Sequence, residues 1–122
     1  MDHKEIEQEI ARVLERLPAE FRRRLANVAI VIEKKPSTSQ LKSMGLDPKR
    51  DALYGLYEGI PLSERSAFDP PLLPDKITIF CDPLVRDFPD TVQLREQLRL
   101  TLLHEIAHYF GMDEEEIEDL GY

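Results

Sequence analysis

Over residues 2–27, apolar side chains recur at three- and four-residue spacing: Ile6, Ile10, Val13, Leu14, Leu17, Phe21 and Leu25. That is the period of an amphipathic helix. Pro18 falls inside the pattern, so the helix either kinks there or divides into 2–16 and 19–27. Val28–Glu33, VAIVIE, is β-branched and bounded by charge and Pro36, which predicts a strand. The polar stretch 34–50 reads as a long loop, tacked down by Leu41, Met44 and Leu46. Residues 53–57 suit a short strand in a region broken by Gly and Pro, and 76–81, KITIFC, a second firm strand. Asp82 and Pro83 fit an N-cap and first helical position, opening a short helix through Asp87. The pattern over 91–110 predicts the main helix, which Gly111 stops. Asp113 then caps a last short helix reaching about residue 120. No repeat, low-complexity run or linker divides the chain. The expectation is one α+β domain over residues 1–122, a small mixed sheet packed against an N-terminal and a C-terminal helix.

Composition narrows the possible functions. Sixteen Lys and Arg against 24 Asp and Glu leave a net charge of −8. Such a surface repels phosphate backbones and argues against a nucleic-acid partner. It tolerates a cation. No stretch is long and apolar enough to be a membrane span or a secretion signal, so a cytoplasmic setting is expected, with no membrane partner. Cys81 is the single cysteine and reads as a small buried residue; no intramolecular disulfide is possible. The run Arg22-Arg23-Arg24 reads as a solvated face at a helix C-terminus rather than an anion site. His3, near the chain start, reads as exposed.

The chemistry concentrates in the main helix, which contains HEIAH at 104–108. Four residues is just over one helical turn, so His104 and His108 project from one face and can reach the same ion at about 2.0–2.1 Å. Glu105 lies about 100° further round. Its carboxylate can stand beside the ion, where a general base must be to take a proton from an activated water. With His near 2% and Glu near 7% of residues, the pattern arises by accident in about one of several hundred chains this size. Two of the chain's three histidines fall in it, within a stretch rich in Leu, Ile and Ala. A Glu set there is costly to bury unless it is paired or faces a cleft.

A zinc site needs a third protein ligand. The pattern continues as HEIAHYFGMDE, and Gly111 permits a sharp reversal that returns the following residues toward the histidines. Glu114 is the preferred third ligand. Asp113 is its rival, but it suits a capping box with Glu116. Glu115, Glu116, Glu118 and Asp119 read as solvent-facing acids. Two imidazoles and a carboxylate suit Zn2+ well, without excluding another borderline divalent ion.

The run HEIAHYFGMDE resembles the zincin metallopeptidases, and its spacing resembles that of the metzincin branch. There the two histidines hold zinc, the glutamate is the base, the glycine turns the chain and the tenth position supplies the third ligand. Carried over, those roles fall on His104, His108, Glu105, Gly111 and Glu114. The chain departs from full metzincins in having Glu at the last place and no downstream methionine turn, Met112 coming too early. It is more similar to the small, bacterial, single-domain minimal zincin-like metallopeptidases, through RLPAEFRRRLANVAIVIE, LYGLYEGIPLSER, DKITIF and TLLHEIAHYFGMDEEEIEDLG. That resemblance implies a zincin-like α+β core with an active-site helix, zinc as cofactor and hydrolysis of a peptide or protein substrate. An edge strand at 53–57 or 76–80 would pair with the peptide, residues 59–75 would form a cleft wall, and Tyr54, Tyr57 and Tyr109 are candidate oxyanion donors. The alternative left open is a non-catalytic zinc-binding domain that binds a protein partner.

Overall fold

The structure of the protein, a computed structural model, describes residues 1–59 and 75–122. Their elements, in chain order, are α1 (His3–Glu15), α2 (Ala19–Arg24), β1 (Val28–Glu33), α3 (Thr38–Ser43), β2 (Gly55–Glu58), β3 (Asp75–Phe80), α4 (Cys81–Asp87), α5 (Thr91–Tyr109) and α6 (Glu114–Asp119). Pro18 divides the N-terminal helix rather than kinking it. It stands as the N-cap of α2, where a residue without an N–H costs nothing. Asp2 opens α1 with a reciprocal cap, its carboxylate accepting from the Glu5 N–H at 2.8 Å.

The expected loop at 34–50 contains a helix, α3. Ser37 caps it by accepting from the Gln40 N–H at 3.0 Å, and the Gln40 amide oxygen accepts from the Ser37 N–H in return. The signal is S-x-x-Q, a capping box, hidden by the surrounding polar residues. Leu41 is buried as expected and Leu46 partly so, but Met44 is exposed. α4 begins one residue before the expected cap, with Phe80 as its N-cap.

The sheet has the order β1-β3-β2. β1 runs parallel to β3 in the register Ile30↔Ile77 and Ile32↔Ile79, and β2 runs antiparallel in the register Gly55↔Ile79 and Tyr57↔Ile77. Ile77 and Ile79 face a common core with Ile6, Ile10 and Val13 of α1 and Leu94, Leu98, Leu102 and Ile106 of α5. Thr78 and Phe80, on the opposite pleat, are fully buried too. β3 is therefore central and covered on both faces, which corrects its candidacy as a peptide-pairing edge. Among the described residues β2 holds an edge position.

This mixed sheet against α1 and α5 is the expected α+β architecture. Cys81 is half-buried rather than buried, and burial pushes its thiol pKa up, so it stays a protonated packing group. His3 is exposed and pairs with Glu7 at 2.9 Å. Among the described residues no helix is long and apolar enough to cross a membrane. The expected cleft wall at 59–75 lies, between its end residues, outside the described residues.

Candidate metal centre

α5 is nineteen residues long, about 28 Å. Its buried stripe runs through Leu94, Leu98, Leu102, Glu105, Ile106 and Tyr109. A carboxylate stands where the stripe calls for an aliphatic side chain. His104 and His108 flank that stripe one turn apart, each side chain about a quarter exposed.

Helix α5 ends at Phe110, and Gly111 takes a φ of 89°. The Gly111 N–H donates to the His108 carbonyl at 2.9 Å and the Met112 N–H to the Ala107 carbonyl at 3.1 Å. This pair of bonds is the Schellman reversal that a glycine permits. It turns the chain back so that α6 starts beside the two imidazoles. Asp113 caps α6, its carboxylate accepting from the Glu116 N–H at 2.8 Å while Glu116 accepts from the Asp113 N–H at 3.2 Å. The Asp113 carboxylate is thus committed to the cap. Glu114, the next residue, turns one oxygen to His108 Nε2 at 2.8 Å and the other to His104 Nε2 at 3.3 Å.

The two Nε2 atoms lie 3.1 Å apart. Three donor atoms about 2.0–2.1 Å from one tetrahedral ion would be roughly 3.3 Å from each other. The two imidazole nitrogens, 3.1 Å apart, come close to that separation. The Glu114 carboxylate reaches one of them with each oxygen, at 2.8 and 3.3 Å, so the donor set fits a borderline divalent cation such as zinc. His104, Glu105 and His108 also offer donor atoms that all lie within 4.8 Å of one another. Within that wider group Glu105 differs in kind. It is 7% exposed, and its Oε1 accepts the backbone N–H of Tyr57 at 3.1 Å. Burial raises its pKa above the usual carboxylate range, opposed by the charges of His108 and His104 and by the Tyr57 N–H.

Beside His104 and Glu105 opens a cleft of about 300 Å³, with Tyr54, Gly55, Thr101 and Tyr122 among its walls. Strand β2 crosses α5 very closely there. A Cβ on Gly55 would lie 2.7 Å from Thr101 Cγ2 and 3.2 Å from Glu105 Cγ. A glycine inside a strand pattern marks such an approach, so this residue was open to sequence reasoning that passed over it. Tyr122 was missed without any comparable signal: its main-chain oxygen lies 3.3 Å from His104 Nδ1.

Of the three tyrosines expected as oxyanion donors, two have their hydroxyls bonded elsewhere. Tyr54 donates its hydroxyl to Asp87 at 2.6 Å, and Tyr109 donates to the Arg24 carbonyl at 2.9 Å. Tyr57 packs its ring on Tyr109, with its hydroxyl beside Gly59. What Tyr57 brings to the site is its main-chain N–H.

Among the curated proteins no match was found. Among protein families, residues 25–122 match the zincin-like metallopeptidases. That span takes in β1, both edges of the sheet, the HEIAH helix and the Gly111 reversal, and the chain belongs to the zincin-like metallopeptidase family.

Proposed function

We propose that the protein hydrolyses peptide bonds with a zinc ion held by His104, His108 and Glu114 and with Glu105 as general base. Membership of the family brings metallopeptidase chemistry and a metal, typically zinc; the residue roles are our reading. The observation that carries it is the convergence of two imidazole nitrogens and one carboxylate at 2.8–3.3 Å, with a second, buried carboxylate alongside.

Zinc bound there supplies Lewis acidity, lowering the pKa of water from about 15.7 toward 7 and polarising a carbonyl. Glu105 accepts a proton as the water oxygen bonds to the peptide carbon. It returns that proton to the amine nitrogen as the C–N bond breaks.

Substrate binding falls to β2. Tyr54 turns its carbonyl inward, accepting from the Phe80 N–H at 2.9 Å. By the alternation of an antiparallel strand, Gly55 and Tyr57 turn their main-chain groups away from β3. An extended peptide lying along that edge meets the Gly55 N–H and carbonyl beside Glu105.

The test is elemental analysis of protein purified without added metal or chelator, beside His104→Ala, followed by hydrolysis of a mixed peptide library by wild type and Glu105→Gln. The expected result is about one zinc per chain, lost in His104→Ala, and cleavage lost in Glu105→Gln with zinc retained. No zinc after zinc is supplied would overturn the metal site. Zinc without cleavage in either form would leave a zinc-binding domain that serves a protein partner.

A further inference from the structure

Helix α6 approaches the histidines twice. Its first residue, Glu114, faces both Nε2 atoms. After its last turn the chain comes back to His104: the Gly121 N–H donates to the Glu118 carbonyl at 2.9 Å, and the Tyr122 N–H to the Ile117 carbonyl at 3.1 Å. Gly121 takes a φ of 91° to do so. This second Schellman reversal sets the Tyr122 main-chain oxygen 3.3 Å from His104 Nδ1. Ile117, fully buried, anchors the helix between these two approaches.

An ionised or carbonyl main-chain oxygen only accepts, so the His104 ring must donate to it from Nδ1. In a neutral imidazole this leaves the lone pair on Nε2, the atom that faces His108 and Glu114. A metal-ligating histidine whose other nitrogen is held in this way is fixed both in tautomer and in ring orientation.

Building on the zinc site above, we propose that the Gly121–Tyr122 turn is a positioning element: the Tyr122 main-chain oxygen selects the Nδ1–H tautomer of His104 and presents Nε2 to the metal. One short helix then supplies the third ligand from its start and orients the first ligand from its end.

The structure provides a matched control. Gly45 closes α3 by the same reversal, with a φ of 73°, its N–H on the Lys42 carbonyl and the Leu46 N–H on the Leu41 carbonyl. A Cβ would meet nothing within 4 Å at Gly45 or Gly121. Proline at either place removes the N–H and forbids the positive φ. Gly121→Pro and Gly45→Pro therefore carry a like backbone change, but only the first releases Tyr122.

The experiment has two readings. Long-range 1H–15N spectra of metal-free protein at about pH 8, above the usual imidazole pKa of about 6.5, report the tautomer. His104 is expected as Nδ1–H in wild type and Gly45→Pro, and as a tautomer mixture in Gly121→Pro. Competition titration with a chromophoric chelator reads zinc affinity, expected to fall about 10–100-fold in Gly121→Pro and less than twofold in Gly45→Pro. An Nε2–H tautomer in wild type overturns the proposal, as does an equal change in the two variants. The spectra need no metal, so they test it even if wild type binds no zinc, a result that would instead sink the metal site.

Discussion

Glu105 and Tyr57 stand 48 residues apart in the chain, yet the Tyr57 N–H donates to Glu105 Oε1 at 3.1 Å. The bond ties α5 to β2 and holds one carboxylate oxygen of the proposed base. It also separates two roles of Glu105, since an amide oxygen accepts that N–H as well as a carboxylate does.

Glu105→Gln is therefore expected to abolish hydrolysis while leaving the fold unharmed. A buried carboxylate is penalised when ionised, so stability near pH 7 should stay level or rise. Glu105→Ala should instead cost about 1–3 kcal/mol, by leaving the Tyr57 N–H without its acceptor and opening a small void. Urea unfolding of the three proteins checks this; equal loss in both variants would refute the role given to the hydrogen bond.

The close crossing at Gly55 makes a second expectation. Gly55→Ala forces a methyl group against Thr101 Cγ2 at 2.7 Å and should destabilise by about 1–3 kcal/mol. Thr101→Ser removes the opposing methyl, so the double variant should recover much of the loss. Additive effects in the double-mutant cycle would mean that the two residues do not meet.

Replacing Glu114 with Ala should weaken zinc binding by more than the roughly 10–100-fold typical of losing an outer partner. Glu115→Ala, an equal change of charge on the same exposed helix turn, should change affinity little. Chelator competition decides the point, and equal effects would mean that Glu114 acts only through its charge.

Asp87 provides the pH-dependent test. Hydrogen bonds from Arg86 and then Tyr54 lower its pKa from 3.8 to about 2. A depressed carboxylate stabilises the fold above its unfolded pKa, and that contribution is lost as pH falls from about 3.8 through about 2. Tyr54→Phe keeps the ring contact with Phe88 but removes one donor, so the Asp87 midpoint should rise. Carboxyl 13C titration reads it directly. The variant's stability deficit should be present near pH 6 and vanish below pH 2; a deficit that persists in acid would mean that packing, not the hydrogen bond, was lost.

Much of this protein was legible locally. HEIAH on a helix puts two imidazoles on one face by period alone, and Gly111 and Asp113 signal the reversal and the cap with their own chemistry. Those features need only neighbours in the chain, and the structure contains each of them. Helix α3 was equally local, but its S-x-x-Q cap sat in a polar run without a clear apolar face.

The rest depends on contacts between distant segments. Which strand is central and where the Tyr54 and Tyr109 hydroxyls go follow from sheet order and packing, which no single segment encodes. The same is true of the Tyr57 N–H on Glu105 and the Tyr122 main-chain oxygen on His104, both main-chain groups with no side-chain signature. The sequence by itself determined the donor atoms and their spacing along one helix, because helical period is a local property. Tertiary structure alone decided what surrounds those donors, because a backbone group acquires its partner only once the chain has folded over it.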